Sequence, residues 1–281
     1  MRDVNLELIT EVVKYLSIEA STIANDGLVK SLQKALKTEA SPVGVEILEQ
    51  LLENIEIAKT EKIPICQDTG FTVVYADIGQ DVHFVGGDFN EAINKGVAQG
   101  YTDGFLRKSI VANPITEPQN TGDNTPAIIH THLVQGDKVK LTLLPKGGGS
   151  ENMSRLKMMT PADGVEGVKN FVVETVKIAG PNPCPPIIVG VGIGGTFDYV
   201  AYLAKKAITR ELGQRHPNPT IASFETEWLK EINKLGIGPA GLGGNTTALE
   251  LFIEEFPRHI ATFPVAVNIQ CHAARVKTVI I

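Results

Sequence analysis

The chain has 281 residues, enough for one large domain or two small ones. Hydrophobic residues make up 43% of it and charged residues 21%, a composition typical of a folded globular protein, which excludes disorder along the whole chain. A formal charge of −6 argues against a nucleic-acid-binding protein, which usually carries a basic surface. The sequence has no long apolar run, and its N-terminal segment carries acids where a signal peptide is apolar. We therefore expect a cytoplasmic protein with no membrane-spanning helix.

Three helices are predicted within the first 60 residues. Apolar side chains recur there at spacings of three and four, which places them on one face of a helix. The first helix shows this pattern from Leu6 to Leu16. The second and third are predicted over residues 27–36 and 43–58.

Strands and helices are mixed after residue 60. Strands are predicted over residues 63–66, 71–78, 185–191, 248–256 and 265–281, and a hairpin pairs 127–133 with 138–144. Further helices are predicted over residues 91–101, 164–178, 199–212 and 224–235. Because strand and helix do not alternate regularly, we expect an α+β fold, with a helical N-terminal part followed by mixed, largely antiparallel strands with packed helices. One domain over 1–281 is expected, with the segment 1–60 packed on it.

Three cysteines, Cys66, Cys184 and Cys271, stand in unusual surroundings. They are too few for a disulfide framework, and no C-x-x-C pair indicates a zinc finger or ribbon. Each lies either at the end of a predicted strand or in a loop. In the loop, prolines restrict the backbone. Three thiolates could hold a metal or an iron–sulfur cluster that keeps one iron free for substrate, whereas electron-transfer clusters use four. Three buried free thiols are the alternative interpretation.

Three glycine-rich segments allow two interpretations each. Residues 190–195 match G-x-G-x-x-G after an apolar run, but the acid that a dinucleotide site needs at the tip of a second strand is missing. A tight turn against packed backbone is the alternative there. The segments 146–150 and 241–247 could form anion-binding nests of backbone amides or plain flexible loops.

Several histidines and arginines are candidate site residues. His130 and His132 alternate along a predicted strand and could share a metal, although solvent-facing side chains are the simpler interpretation. His259 follows Arg258 at a predicted turn and could act as a general acid or base, or could be an ordinary surface histidine. Arg107 and Arg275 lie near the other motifs, where an acidic protein would need local positive charge to bind an anionic substrate.

Six longer motifs, taken together, resemble those of one known family. They are Cys66-Gln67-Asp68-Thr69-Gly70 and the segments 101–107, 146–152, 190–196, 243–249 and 270–275. In this order they resemble the alpha subunits of two-subunit class I fumarate hydratases, which are iron–sulfur hydro-lyases. The alpha subunits of L(+)-tartrate dehydratases belong to the same family. The resemblance extends over nearly the whole chain.

The resemblance implies a cofactor and a proton-handling pair. The cofactor is a 4Fe-4S cluster held by Cys66, Cys184 and Cys271, with one iron that no cysteine binds and that can act on substrate as a Lewis acid. Asp68 and His259 are implied to move the proton of the leaving hydroxyl, because a positioned acid lowers the barrier to loss of a poor leaving group.

The resemblance also implies the substrate, its binding residues and a partner. Gln67, Arg107 and the backbone amide of Gly148 are expected to bind the carboxylates of a dicarboxylate. The expected reaction is the reversible hydration of fumarate to L-malate, a step of the tricarboxylic acid cycle. A beta subunit, expected as a separate polypeptide, would complete the site in an α2β2 heterotetramer.

Three alternative functions remain open on the sequence. The same chemistry could act on tartrate or another hydroxy-dicarboxylate. Residues 190–195 could instead bind the cofactor of a nucleotide-dependent oxidoreductase. The chain could also be a non-enzymatic metal-binding or scaffold subunit.

Overall fold

The computed structural model describes all 281 residues and contains two compact units. The first unit comprises Met1–Asn25, Asn54–Gly148 and Arg275–Ile281, and the second comprises Asp26–Glu53 and Gly149–Ala274. Each unit combines helices with a mixed sheet, which confirms the predicted α+β class. None of the helices is both long and apolar enough to cross a bilayer. The expectation of a single domain stays a prediction.

The elements are numbered in chain order. The helices are α1 (Leu6–Thr22), α2 (Asp26–Thr38), α3 (Pro42–Glu61), α4 (Phe89–Asp103), α5 (Gly148–Glu151), α6 (Gly164–Ala179), α7 (Phe197–Ala207) and α8 (Pro219–Asn233). The strands are β1 (Arg2–Asn5), β2 (Phe71–Gly79), β3 (Val82–Val85), β4 (Val111–Ala112), β5 (Gln119–Asn120), β6 (Ile128–Val134), β7 (Val139–Lys146), β8 (Arg155–Met159), β9 (Ile187–Gly195), β10 (Ala248–Arg258), β11 (Phe263–Gln270) and β12 (Lys277–Ile280). Two short 3-10 turns lie at Pro161–Asp163 and Pro239–Gly241.

The predicted strand over residues 63–66 is wrong, because this segment belongs to an irregular loop. Its backbone bonds to helices instead of a neighbouring strand. The amide of Ile65 donates to the carbonyl of Ser21 on α1 at 2.9 Å. The carbonyl of Ile65 accepts from the side chain of Asn54 on α3 at 2.8 Å. The amide and the carbonyl of Ile65 are therefore not available to a sheet ladder.

The predicted hairpin between residues 127–133 and 138–144 is also wrong, although both strands exist. The sheet order is β12-β7-β2-β6, so β2 lies between β6 and β7, parallel to the first and antiparallel to the second. The end of β2 reaches the turn that joins the other two strands: a Cβ at Gly79 would lie 2.3 Å from the carbonyl oxygen of Gly136. Only a glycine allows this close approach. With β2 between them, β6 and β7 do not pair directly.

Close packing of α1 on α4 builds the helical layer of the first unit. A Cβ at Gly96 would lie 2.6 Å from the carbonyl oxygen of Thr10, and one at Gly100 would lie 2.9 Å from that of Lys14. These two glycines of α4 therefore let the helix backbones approach closely. The buried side chains of both helices share one core with those of β2 and β7, and this core includes Tyr101 near the end of α4.

The second unit contains a four-stranded sheet of order β10-β9-β11-β8 with helices on both faces. Alternate residues of β9 pack with the side chains of α6 and α8 in one core. The intervening residues, Gly190 and Gly192, face α7. A Cβ at Gly190 would lie 2.2 Å from the carbonyl oxygen of Ala204, and one at Gly192 would lie 2.3 Å from that of Val200. The G-x-G-x-x-G segment is thus part of a strand packed against helix backbone. Strand β8, which the pattern did not predict, pairs with β11.

Candidate active site

One irregular loop of the first unit carries three of the predicted site residues, Cys66, Gln67 and Asp68. Two bonds to Thr69 fix this loop. The buried hydroxyl of Tyr101 on α4 donates to the carbonyl of Thr69 at 2.9 Å, and the hydroxyl of Thr69 donates to the carbonyl of Arg107 at 2.9 Å. Burial raises the pKa of Tyr101, so its hydroxyl stays protonated and remains a donor. The structure thereby anchors Arg107 to the loop that carries Asp68.

Asp68 is held at three points, two of them on its carboxylate. Its Oδ1 accepts from the amide of Gly70 at 3.1 Å, and its Oδ2 accepts from the amide of Gly148 at 2.8 Å. Its carbonyl oxygen accepts from Nη1 of Arg275 at 2.6 Å. The structure thus brings together two predicted site residues, Asp68 and Gly148. The role of the Gly148 amide toward a substrate stays a prediction.

The glycine loop after β7 contacts the Asp68 loop backbone to backbone. Gly70 has a φ of +78° and packs so closely that a Cβ there would lie 2.5 Å from the carbonyl oxygen of Lys146. A Cβ at Gly147 would lie 3.2 Å from Oδ2 of Asp68 and 3.4 Å from Nη2 of Arg275. The small residues at these positions let two of the family motifs meet.

Gln67 and Arg107 present polar groups at the surface of the first unit. Cys66 is half-buried, with its Sγ 3.7 Å from Oε1 of the exposed Gln67. Arg107 is exposed, and its guanidinium makes neither a hydrogen bond nor an ion pair. A guanidinium that is free of acidic partners can bind a carboxylate through two parallel N–H donors.

His272 joins the two cysteine segments of the second unit. Cys184 is exposed, and its carbonyl oxygen accepts from the amide of His272 at 3.3 Å and lies 3.0 Å from the imidazole Nδ1. Because a carbonyl only accepts, Nδ1 carries a proton. Cys271 directly follows β11 and is buried, with 8% of its surface exposed. His272 belongs to the family motif 270–275, but its sequence position alone indicates no role for it.

His259 lies in the exposed turn between β10 and β11 of the second unit. Nη1 of Arg258 donates to three carbonyls of this turn, including that of His259. The amide of Ala261 donates to Nδ1 of His259 at 3.2 Å, so the neutral imidazole carries its proton on Nε2. His259 also lines a cavity of about 550 Å³ with Phe197 and other side chains. Its pairing with Asp68, a residue of the first unit, stays a prediction.

His130 and His132 lie on β6 and contact its neighbour β2. The ring of His130 stacks on that of Tyr75, with 5.2 Å between the centroids. Nδ1 of His132 lies 3.6 Å from the carboxylate of Asp77. These contacts give both histidines partners within the sheet.

Glu39, between α2 and α3, holds the glycine-rich family motif 243–249 and was missed in the sequence. Its Oε1 accepts from the amide of Asn245 at 2.8 Å, and its Oε2 accepts from that of Thr246 at 2.9 Å. A Cβ at Gly244 would lie 2.6 Å from Oε1. Only 9% of Glu39 is exposed. No local pattern could indicate a bond between residues 206 positions apart.

Replacing Glu39 with glutamine is expected to destabilise the protein by about 1–3 kcal/mol at pH 7, because one buried amide loses a charged acceptor. Burial works to raise the pKa of Glu39, but the bonds from Asn245, Ser41 and Thr246 outweigh it and hold the pKa below its ordinary value. The ionised carboxylate therefore makes its full contribution to the free energy of unfolding above the unfolded-state pKa of about 4.3. That contribution is lost as pH falls through the lower folded-state pKa.

Urea denaturation of both proteins at neutral and acidic pH measures this difference. The loss in unfolding free energy should shrink below about pH 4. Glu49→Gln, at an exposed position of α3, is the matched control and should leave stability within about 0.5 kcal/mol. An equal loss at both pH values would contradict a role for the ionised carboxylate.

The residue that precedes Cys271 fits an anionic sulfur-rich group. Gln270, directly before Cys271, is fully buried, and neither its amide nitrogen nor its amide oxygen has a hydrogen-bond partner. Buried N–H donors without partners suit thiolate and sulfide acceptors, whose hydrogen bonds tune iron–sulfur clusters. No group of three or more His, Cys, Asp or Glu side chains forms a metal site in the structure.

Comparison with known proteins identifies the class. The family model for fumarate hydratase (Fumerase) matches residues 10–280. A putative L(+)-tartrate dehydratase subunit alpha of Methanocaldococcus jannaschii is 43% identical over 272 residues, which cover 95% of each chain. The L(+)-tartrate dehydratase subunit alpha of Escherichia coli O157:H7 is 33% identical over 275 residues, 97% of this chain and 90% of that one. The protein is a hydro-lyase. The chain belongs to the fumarate hydratase (Fumerase) family, which confirms the resemblance.

Proposed function

We propose that this chain is the cluster-binding alpha subunit of a two-subunit enzyme that reversibly hydrates fumarate to L-malate. The observation that carries the proposal is the bonded group of family-motif residues in the first unit. There the carboxylate of Asp68 accepts from the amide of Gly148, and the backbone carbonyl of Arg107 accepts from the hydroxyl of Thr69 in the same loop, while the Arg107 guanidinium makes no bond. A carboxylate for proton transfer and a cation for substrate carboxylates are what a dicarboxylate hydro-lyase requires.

The proposed cofactor is a 4Fe-4S cluster with one iron that no cysteine ligates. Cys66, Cys184 and Cys271 would hold it, and they are the only cysteines of the chain. When bound, the cluster would supply a Lewis-acidic iron that polarises the substrate hydroxyl. Family membership and the unpartnered buried amide of Gln270 support this assignment.

The protein residues bind the substrate and move its hydroxyl proton. Arg107 and Gln67 bind and orient substrate carboxylates, and the amide of Gly148, which donates to Oδ2 of Asp68, would share its N–H with the substrate as a further donor. In the dehydration direction, the pair of Asp68 and His259 delivers a proton to the leaving hydroxyl, which departs as water. In the hydration direction the pair accepts that proton. Because Nδ1 of His259 accepts from the amide of Ala261, Nε2 is the ring atom that would exchange the proton within this pair.

A beta subunit is proposed to complete catalysis. Relatives are named as alpha subunits of L(+)-tartrate dehydratase, which supports a partner chain. That chain would supply the base that removes the carbon-bound proton, in a cytoplasmic α2β2 heterotetramer. The same relatives make L(+)-tartrate, or another hydroxy-dicarboxylate, the second candidate substrate.

Anaerobic turnover of the assembled complex tests the proposal. The compounds to compare are L-malate, fumarate, L(+)-tartrate and methylated fumarates. We expect kcat/KM to be highest for L-malate and fumarate. A higher value for tartrate would replace the substrate and keep the reaction. If the chain bound iron and its partner but converted none of these compounds, the interpretation as a non-enzymatic metal-binding subunit would replace the proposal.

A further inference from the structure

Arg275 is a buried arginine of the first unit, with 1% of its surface exposed. Its Nη1 donates to the carbonyl oxygen of Asp68 at 2.6 Å. This is a short, charge-assisted bond across 207 positions of sequence, and such bonds are about twice as strong as neutral ones. Arg275 ends the family motif that begins at Gln270, and its side chain has no part in the mechanism proposed for substrate binding and proton transfer.

The guanidinium of Arg275 is not part of a structural ion pair. No acid forms a salt bridge with it, and its Nε and Nη2 atoms are buried without a hydrogen-bond partner. A buried guanidinium that lacks an acidic partner lowers stability, because its charge has lost water. Residues that cost stability in this way are often kept for function.

The bonds around Asp68 show what Arg275 controls. The carboxylate is bound by two backbone amides, those of Gly70 and Gly148. Arg275 is the side chain that holds the peptide group from which this carboxylate projects. Without that bond, the peptide plane of Asp68 can rotate, and the carboxylate then shifts relative to the glycine loop.

We propose that Arg275 is a positioning residue that fixes Asp68 for proton transfer. The inference rests on the proposed function and deepens it. Geometry of this kind matters because a displacement of about 1 Å at a catalytic group can lower the rate about 100-fold. Arg275 acts through Asp68 and has no separate contact with the reacting atoms.

The test is a double-mutant cycle in the assembled, cluster-loaded complex. Arg275→Gln is expected to lower kcat about 10- to 100-fold while KM and the iron and sulfide content stay unchanged. Arg275→Lys keeps the charge and an N–H that can donate to the carbonyl of Asp68, so it should recover part of the loss. In the presence of Asp68→Asn, Arg275→Gln should have little further effect, because both changes act on one group.

Arg2→Gln is the matched control. Arg2 also lies in the first unit and donates from Nη1 to backbone carbonyls, those of Asp137 and Ile281. It contacts none of the proposed site residues, so its replacement should leave kcat unchanged.

Four results would overturn the inference. A higher KM at constant kcat would make Arg275 a substrate ligand. Loss of iron in proportion to activity would make it a cluster residue. Additive losses in the double variant would show that it does not act through Asp68, as would an undiminished kcat in Arg275→Gln. An inactive wild-type complex would instead reject the proposed function, and this inference with it.

Discussion

Cys66→Ser is expected to abolish cluster binding and hydro-lyase turnover together. A serine hydroxyl stays protonated at neutral pH, whereas a cysteine thiol readily becomes the thiolate that iron–sulfur clusters require. Since the chain has three cysteines, no fourth thiol can replace a lost ligand. Cys184→Ser and Cys271→Ser should behave alike, although Cys184 is exposed and Cys271 is buried.

Iron and acid-labile sulfide per chain, measured on protein purified without oxygen, are the readouts. Wild-type protein should approach a full 4Fe-4S complement, and each serine variant should lose nearly all of it. Ser31→Ala, a conservative change on α2, is the control and should retain both iron and activity. If wild-type protein held no iron after anaerobic reconstitution with its partner, the three cysteines would be free thiols and not cluster ligands. Full turnover in air and with chelators would count against an exposed iron.

Asp68→Asn is expected to lower kcat about 1000-fold while the cluster stays bound. An amide cannot donate and accept the proton of the leaving group, and general acid–base catalysis contributes about 100- to 10,000-fold. Asparagine also keeps only one acceptor oxygen, so either the Gly70 or the Gly148 amide loses its partner. We therefore expect an additional stability loss of about 1–3 kcal/mol. His259→Asn should reduce kcat in the same way.

Asp123→Asn is the matched control for this variant. Asp123 lies in another loop of the first unit and accepts from the amide and hydroxyl of Thr125. Its replacement should affect stability but not kcat. Steady-state kinetics, together with iron analysis, separate the outcomes. Loss of iron in Asp68→Asn would make this carboxylate structural, and an unchanged kcat would remove it from the proton-transfer step.

The helices were predictable because their signal is local. The spacing of apolar residues from Leu6 to Leu16 predicts α1, and the same pattern predicts α2 and α3. Helical hydrogen bonds join residues four apart, so a short window of sequence contains the relevant information.

Strand pairing was less predictable because it depends on distant residues. The segments of β6 and β7 alternate correctly and are joined by a short turn, yet β2 separates them. What allows this is the close approach of Gly79 to Gly136, 57 positions later in the chain. Likewise, the apparent strand at residues 63–66 is a loop because Ser21 and Asn54 bind its backbone.

The candidate site follows the same division. Motif resemblance selected Asp68 and Gly148, and the structure joins them by a hydrogen bond. It did not indicate the bond from Arg275 to Asp68 or the clamp of Glu39 on Asn245 and Thr246. Such long-range bonds arise from the folded arrangement of loops and leave no spacing pattern in the sequence.

The three-segment construction of the first unit has a consequence for synthesis. Its last strand, β12, pairs with β7, and Arg275 lies just before that strand. A ribosome adding about 5–20 residues per second exposes β2, β6 and β7 well before β12 can emerge. The edge of β7 that pairs with β12 therefore stays unpaired during this time, and an unpaired strand edge can lead to aggregation. Every residue of the second unit is made before the last segment of the first unit. The Asp68 loop receives its arginine only after all segments of the second unit have been translated.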